Sequence, residues 1–243
     1  SAFPPKELKH DGTVKYPLIQ HFMGWEIRVK EDFFDDREAT FMDFDASWTP
    51  GVGFMYLLPW NKREALLEYT IFSGELEKTS VYEQKIRNYI DQKLGLDASD
   101  YSVQRVEMGR IPMEDRPYLP WYDERIMNMG TAAGLSKPST GYTFLRIQHH
   151  VQKLAKSLID GQKPVLPTKS KARFVYYDLL LLHVLFTTSN TGIKIFRDLF
   201  ERNRIQRVFK FLDEESSIAE EIRTMASVPY WPFIKALFAN LLR

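Results

Sequence analysis

The sequence contains no cysteine among its 243 residues. Disulfide bonds and thiol catalysis are therefore excluded for these residues, and the composition is typical of a reducing compartment. No apolar run is long enough to cross a bilayer, and the first residues lack the basic and then apolar pattern of a signal peptide. The formal net charge is only +1, which gives no global attraction for nucleic acid. These absences together favour a cytoplasmic protein that does not bind nucleic acid.

A glycine-rich nucleotide-binding motif of the form G-x-G-x-x-G is also missing. Gly51 and Gly53 come closest, but they lack the third glycine, a preceding strand and a following helix. Aromatic residues, in contrast, are abundant, with 17 Phe, 12 Tyr and 5 Trp. A chain of this length and composition is able to bury a substantial hydrophobic core.

Closely spaced apolar runs joined by short polar turns predict an antiparallel sheet in the first half of the chain. The predicted strands are 17–30, 38–44, 52–60, 65–73 and 101–113, with a helix at 79–94. A short strand at 125–129 leads through a turn into a helix, and apolar helical segments follow at 174–186, 192–202 and 228–243. The sequence therefore predicts an α+β protein that ends in helices.

This pattern divides the chain into three parts. Residues 1–124 form a sheet part with one helix, residues 125–161 form a strand–turn–helix part, and residues 162–243 form a helical end. The helices of the last part have two interpretations. They either pack on each other and on the rest of the protein, or they offer a face that touches a membrane or admits an apolar substrate.

The turn before the helix in the middle part is rich in glycine. Gly130, Gly134 and Gly141 would let the backbone approach a ligand closely, and the N–H groups at a helix start near Thr140 would suit an anion. A phosphate or the polar end of a cofactor is one interpretation. The other is an ordinary connection in which Thr140 is the helix N-cap.

Two carboxylates are candidates for acid–base chemistry. Glu68 lies in a largely apolar strand, and burial there would raise its pKa and allow it to donate a proton near neutral pH. Its alternative is an exposed strand carboxylate. Asp43 is the second candidate, and its alternative is a strand-end carboxylate hydrogen-bonded to backbone. The adjacent His149 and His150 point apart on a helix and make a poor metal pair, so no metal site is expected.

Several segments together resemble the lycopene cyclase family, in the order in which that family carries them. They are QHFMGWEI (20–27), FMDF (41–44), LLEYT (66–70), VEMGRIPM (106–113) and GTAAGLSKPSTGYTF (130–144). The resemblance covers about residues 20–161. It implies the C-terminal part of an FAD-binding, Rossmann-like flavoprotein fold combined with the antiparallel sheet.

In that family a linear C40 polyene, lycopene, is cyclised at its ends to β-ionone rings without net redox change. The family needs reduced FAD, with NADPH as the electron source. The resemblance implies that Glu68 is the acid–base residue. Whether Asp43 or Glu107 supplies a second acid stays open: Asp43 lies in a segment that resembles the family's M-D-F strand, and Glu107, in a segment near the flavin, has a more structural interpretation. Tyr69 departs from the second carboxylate that is usual after Glu68.

The resemblance also assigns binding residues. Flavin contacts are expected from Gly130, Thr131, Ala132, Ala133, Gly134, Lys137, Pro138, Ser139, Thr140, Gly141 and Tyr142. Contacts to the polyene are expected from Trp25, Tyr56 and Trp60, whose rings suit a carbocation. The substrate further implies peripheral association with a membrane surface. Because the family's G-x-G-x-x-G holds the ADP part of FAD, we expect this chain to be a fragment.

Two other functions are compatible with the same residues. One is another flavoprotein of the same fold group, such as a monooxygenase or a polyprenyl reductase. The other is a non-catalytic protein that binds an apolar lipid.

Overall fold

The computed structural model describes residues 14–46 and 51–241. The predictions for residues 1–13 lie outside the described residues. The chain forms two compact units. One unit, the sheet unit, is Ile19–Arg110, and the other, the helical unit, contains the described residues up to Leu18 and those from Ile111 onward. The three-part division of the sequence stays a prediction. The boundaries between the two compact units lie near residues 18 and 110.

Among its described residues, the sheet unit contains five strands and one α-helix. The strands are β1 (Leu18–Val29), β2 (Thr40–Asp43), β3 (Val52–Asn61), β4 (Glu64–Ser73) and β5 (Tyr101–Met113), and the helix is α1 (Thr79–Leu94). Their order in the sheet is β2-β3-β4-β1-β5. The pairs β1–β4, β2–β3 and β3–β4 are antiparallel, which confirms the predicted sheet.

The two faces of this sheet have different surroundings because side chains alternate along a strand. Helix α1 packs on the face that carries the odd-numbered residues of β4, and these join one hydrophobic core with the buried side of the helix. Its central members are Trp25, Ile27, Met55, Ala65, Leu67, Tyr69, Ile71, Tyr82, Ile86 and Ile90. The even-numbered residues of β4, from Leu66 to Phe72, therefore lie on the opposite face. We call it the open face because α1 does not cover it, although Thr70 and Phe72 are buried there.

Among the described residues from Ile111 onward, a small hairpin is followed by six α-helices. The hairpin is β6 (Trp121–Asp123) with β7 (Ile126–Met127), so the strand predicted at 125–129 is shorter and pairs with residues for which no strand was predicted. The helices are α2 (Phe144–Ile159), α3 (Ala172–Thr187), α4 (Ser189–Glu201), α5 (Ile205–Leu212), α6 (Ile218–Met225) and α7 (Tyr230–Leu241). The α+β class with a helical end is thereby confirmed.

Helices α3, α4 and α7 share a small core built on Val184, Ile195 and Ala236. A second cluster joins Leu199 of α4 to Val208 and Leu212 of α5. Within residues 14–46 and 51–241, the helices are all too short or too polar to cross a membrane.

Candidate active site

Glu68 lies in the middle of β4, at the centre of the open face. The residue directly opposite it on β3 is Tyr56, and the residue directly opposite on β1 is Gly24. Directly opposed residues of antiparallel strands project from the same face of a sheet. The Glu68 carboxyl group is thus flanked by a phenol on one side and by a residue without a side chain on the other.

The surroundings of Glu68 change its acidity in the predicted direction. Burial raises the pKa of Glu68 to about 7, the hydrogen bond from Thr70 opposes the increase, and the negative charge of Glu107 adds to it. Thr70 Oγ1 donates to Glu68 Oε1 over 3.0 Å. A carboxyl group with this pKa is protonated in a large fraction of molecules at neutral pH, so it is able to donate a proton.

Aromatic rings surround the β3 side of Glu68. The ring centroid of Tyr56 lies 5.1 Å from that of Phe41 and 5.2 Å from that of Phe54, and Phe54 lies 5.3 Å from Phe72. Burial raises the pKa of Tyr56, and the Glu68 charge raises it further, so this phenol stays neutral. The negative faces of such rings stabilise a nearby cation.

Sequence reasoning selected Tyr56 but missed Phe54 and Gly24. The signal for Phe54 was present, since it lies two residues before Tyr56 and therefore on the same face of β3. A glycine inside a strand also marks a place where another group approaches closely. A Cβ atom on Gly24 would lie 3.0 Å from Glu107 Cγ and 3.2 Å from Glu107 Oε1, so the Glu107 side chain extends over this residue.

The structure places Asp43 on the helix-covered face, away from Glu68. Asp43 lies opposite Met55, a residue of the core under α1. Tyr89 Oη of α1 donates to Asp43 Oδ2 over 2.9 Å, and the backbone N–H of Asp45 donates to Oδ1 over 2.9 Å. This geometry corresponds to the alternative interpretation, a strand-end carboxylate tied to backbone, and it corrects the pairing of Asp43 with Glu68.

Two of the three aromatic residues predicted to bind substrate are placed elsewhere. Trp25 is 3% exposed in the core under α1, with the Arg87 guanidinium 4.6 Å from its ring centroid, so it faces away from Glu68. Trp60 is 54% exposed near the end of β3. Tyr56 alone of the three lies beside Glu68. A shift of one residue along a strand exchanges the faces, and the sequence did not reveal which face α1 covers.

The predicted flavin-contacting residues form one continuous loop in the helical unit. Gly130–Ala133 is a short 3-10 turn that is ended by Gly134 with a φ of 71°, and Gly141 has a φ of 66°. A Cβ on Gly134 would also lie 2.8 Å from the Tyr118 ring, so both backbone angle and space require glycine there. The helix after the loop begins at Phe144, with Thr143 as N-cap, and the predicted start at Thr140 is corrected.

Side chains of this loop lie against two cavities within the helical unit. Ala133, Gly134, Ser136 and Pro138 line a cleft of about 440 Å³. Lys137, Ser139 and Thr140 line a second, almost entirely apolar cavity of about 300 Å³. The loop therefore separates the two spaces.

Lys137 and Ser139 hold the loop to the helices behind it. The Lys137 ammonium lies 2.9 Å from Asp178 Oδ2 and 3.3 Å from Glu214 Oε1, and Ser139 Oγ donates to Asp178 Oδ1 over 2.6 Å. Arg146 Nη1 lies 2.8 Å from the same Glu214 oxygen. The side chains of Lys137 and Ser139 are thus engaged inside the protein, which leaves backbone groups of the loop for contacts to a cofactor.

The comparison with protein families identifies the chain. A family model described as lycopene cyclase protein matches residues 5–238. The chain belongs to the lycopene cyclase family. The match extends through the helical end, where the sequence offered no motif, and it confirms the resemblance that the motifs indicated.

Comparisons with individual proteins give weaker similarities. No curated protein matches the sequence significantly. A geranylgeranyl bacteriochlorophyll reductase-like protein from Thermoplasma acidophilum has 13% identity and a TM-score of 0.45, covering 90% of this chain and 54% of that one. The p-nitrophenol 4-monooxygenase PnpA from Pseudomonas putida DLL-E4 has 13% identity and a TM-score of 0.35, covering 93% and 54%. The chain spans about half the length of both structures, and similarities at this level carry no argument about function.

Proposed function

We propose that this lycopene cyclase family chain provides the acid–base part of a carotenoid cyclase that closes the ends of lycopene to β-ionone rings. The observation that carries the proposal is Glu68, a protonatable carboxyl group at the centre of a sheet face lined by aromatic rings. Its pKa of about 7 supports a neutral acid at physiological pH. The family membership supports the choice of an unsaturated hydrocarbon as the group that accepts the proton.

In the proposed reaction Glu68 protonates the terminal double bond of the polyene. The neighbouring double bond attacks the resulting tertiary cation, the ring closes, and a proton is lost from the ring. Tyr56 and Phe54 contribute by stabilising the cation with their ring faces. Thr70 positions the carboxyl group through its hydrogen bond to Oε1.

The residues of the glycine loop fit a flavin. Gly134 lines the cleft of about 440 Å³. Helix α2 starts without a side-chain cap from Thr143, so the first N–H groups of the helix are available to an anionic oxygen. Reduced FAD, when bound, would supply negative charge, which favours cationic species electrostatically. NADPH is the proposed electron source.

The apolar cavity in the helical unit is evidence in favour of a hydrocarbon ligand. It is lined by aliphatic and aromatic side chains of α3, α4 and α7, among them Leu181, Ile195 and Phe233. Such a cavity binds water poorly, because a buried water molecule needs several polar hydrogen-bond partners. The same observation favours the second candidate function, a non-catalytic protein that holds an apolar lipid. Association with a membrane surface, from which such a lipid would be taken, remains part of the proposal.

Replacement of Glu68 by glutamine tests the proposal. The protein is expressed at its natural length in cells that accumulate lycopene, and the carotenoids are separated by chromatography. Glu68→Gln should lower product formation at least about 100-fold, the usual effect of removing a general acid. Glu64→Gln is the matched control, since Glu64 lies on the same strand but pairs with Arg28 at its exposed end, and it should keep activity. Retained cyclisation in Glu68→Gln would refute the role of this carboxyl group.

A further inference from the structure

We propose that Glu107 is the second acid–base residue of this reaction and that it forms a carboxyl pair with Glu68 across Gly24. The inference rests on the proposed cyclase function. It assigns the role of second acid, for which the sequence left Asp43 and Glu107 as alternatives, to Glu107 of β5.

The reaction needs two proton transfers at different carbon atoms. One proton is added to the terminal double bond, and a different proton is removed from the new ring, so the substrate gains and loses one proton and no electrons are exchanged. If Glu68 gives the first proton, it is left as a carboxylate. Glu107 takes the second proton and becomes a carboxylic acid. Transfer of that proton from Glu107 to Glu68 restores the starting state of both groups.

The residue after Glu68 cannot provide the second carboxyl group on this face. Adjacent residues of a strand point to opposite faces, and Tyr69 is fully buried in the core under α1. An acidic side chain at position 69 would point into the same core. A partner for Glu68 on the open face must therefore come from a neighbouring strand.

Gly24 provides the space for such a partner. It lies opposite Glu68 on β1, and β1 lies between β4 and β5 in the sheet. A Cβ at position 24 would be 2.9 Å from Leu66 Cδ1 and 3.0 Å from Glu107 Cγ, distances at which something must move. The absence of a side chain on β1 thus lets the Glu107 side chain from β5 extend over the strand that separates it from Glu68.

The charges around Glu68 favour its protonated form. Burial is the main cause of its raised pKa, and the negative charge of Glu107 adds to the increase. Arg105 Nη2 is 4.0 Å from Glu107 Oε2, and Arg105 Nη1 is 3.2 Å from Glu26 Oε1. From β3, Tyr56 faces Glu68 as a neutral phenol. Glu68 therefore has a second carboxyl group on the β5 side and a neutral phenol on the β3 side.

The test compares the natural-length enzyme with its Glu107→Gln variant over a range of pH, with Glu64→Gln as the control. We expect kcat of Glu107→Gln to fall at least about 100-fold, with KM for lycopene and bound flavin unchanged. The residual activity should begin to fall at a lower pH than the activity of the wild type, because removal of a neighbouring negative charge lowers the pKa of Glu68. Glu107→Asp keeps a carboxyl group at a shorter reach and should recover part of kcat.

The inference would be overturned if kcat of Glu107→Gln is close to that of the wild type, or if the activity of the variant falls at the same pH as that of the wild type. If Glu107→Gln does not fold, Glu107→Asp replaces it in the comparison of rates, and a kcat equal to that of the wild type in that variant counts against the pair because its carboxyl group has a shorter reach. Failure of the proposed function is a different result. In that case the wild-type enzyme produces no cyclised carotenoid, whereas failure of the pair leaves wild-type activity and its loss in Glu68→Gln intact.

Discussion

At the scale of single residues, the predictions hold for residues that project from the same face of the sheet as Glu68 and fail for residues on the other face. Glu68 was selected from the sequence as a carboxyl group whose pKa burial would raise, and Tyr56 was selected as an aromatic residue near the substrate. Their position side by side depends on the register of β3 and β4, which the sequence did not predict. Trp25 and Asp43 were chosen by the same reasoning, yet they lie on the face that α1 covers. Alternation shows which residues share a face, but only the packing of a distant helix shows which face is buried.

Gly24 gives a prediction at this scale. Gly24→Ala would place a methyl group against Leu66 and Glu107, and the displaced Glu107 side chain should lose its place beside Glu68. We expect kcat to fall about 10-fold or more, as a misplaced proton-transfer group predicts, with little change in the urea midpoint because the displaced atoms belong to flexible side chains. Gly95→Ala is a control, since a Cβ there would meet no neighbouring atom; that variant should lose some stability through its φ of 69° but not kcat. Unchanged kcat in Gly24→Ala would count against the role of this gap.

At the scale of elements, the sequence predicted most strands and helices because their periodicity is strong. The bounds of α1 and β5 agree with the prediction at both ends. The start of α2 was wrong because Thr140 resembles an N-cap, whereas the Lys137–Gly141 turn precedes the helix and the N–H of Gly141 bonds the Lys137 carbonyl at 2.9 Å. The role of Lys137 as an internal anchor was also not predictable, since its partners lie in α3 and after α5, far along the chain.

The ion pairs of Lys137 give the prediction for these elements. Lys137→Met leaves Asp178 buried without its cation, which should destabilise the protein by about 3–5 kcal/mol. Lys194→Met removes an exposed partner of Asp198 and should cost at most about 1 kcal/mol. Urea unfolding of both variants measures the difference. Equal stability of the two would show that Lys137 does not anchor the loop.

At the scale of the whole molecule, the sequence predicted the α+β class and the family, and the family model confirms the latter over residues 5–238. Ordered motifs in separate strands carried this prediction, because each motif alone was weak. The grouping of the chain into two compact units was not predicted, since it depends on which elements pack together. The proposed activity belongs to this scale, because it requires acid chemistry, flavin and hydrocarbon in one enzyme.

The pH dependence of cyclisation follows from the raised pKa of Glu68. The acid must be protonated to act, so activity should be present below pH about 7 and fall as the pH rises through that value. An ordinary glutamate, with a pKa near 4.3, would already be ionised about three pH units lower. Initial rates in buffered lysate between pH 5 and 9, with the stability of the protein checked at each pH, measure this fall in activity. A rate that stays constant to pH 9 would contradict Glu68 as the acid.

The measurement that tests the central claim most directly is product analysis of lycopene-accumulating cells that express the natural-length protein, beside the Glu68→Gln and Glu64→Gln variants. The account predicts β-carotene or its one-ringed precursor from the wild type and from Glu64→Gln, and unchanged lycopene from Glu68→Gln. Cyclised product from Glu68→Gln, or unchanged lycopene from the folded, flavin-bound wild type, would contradict it.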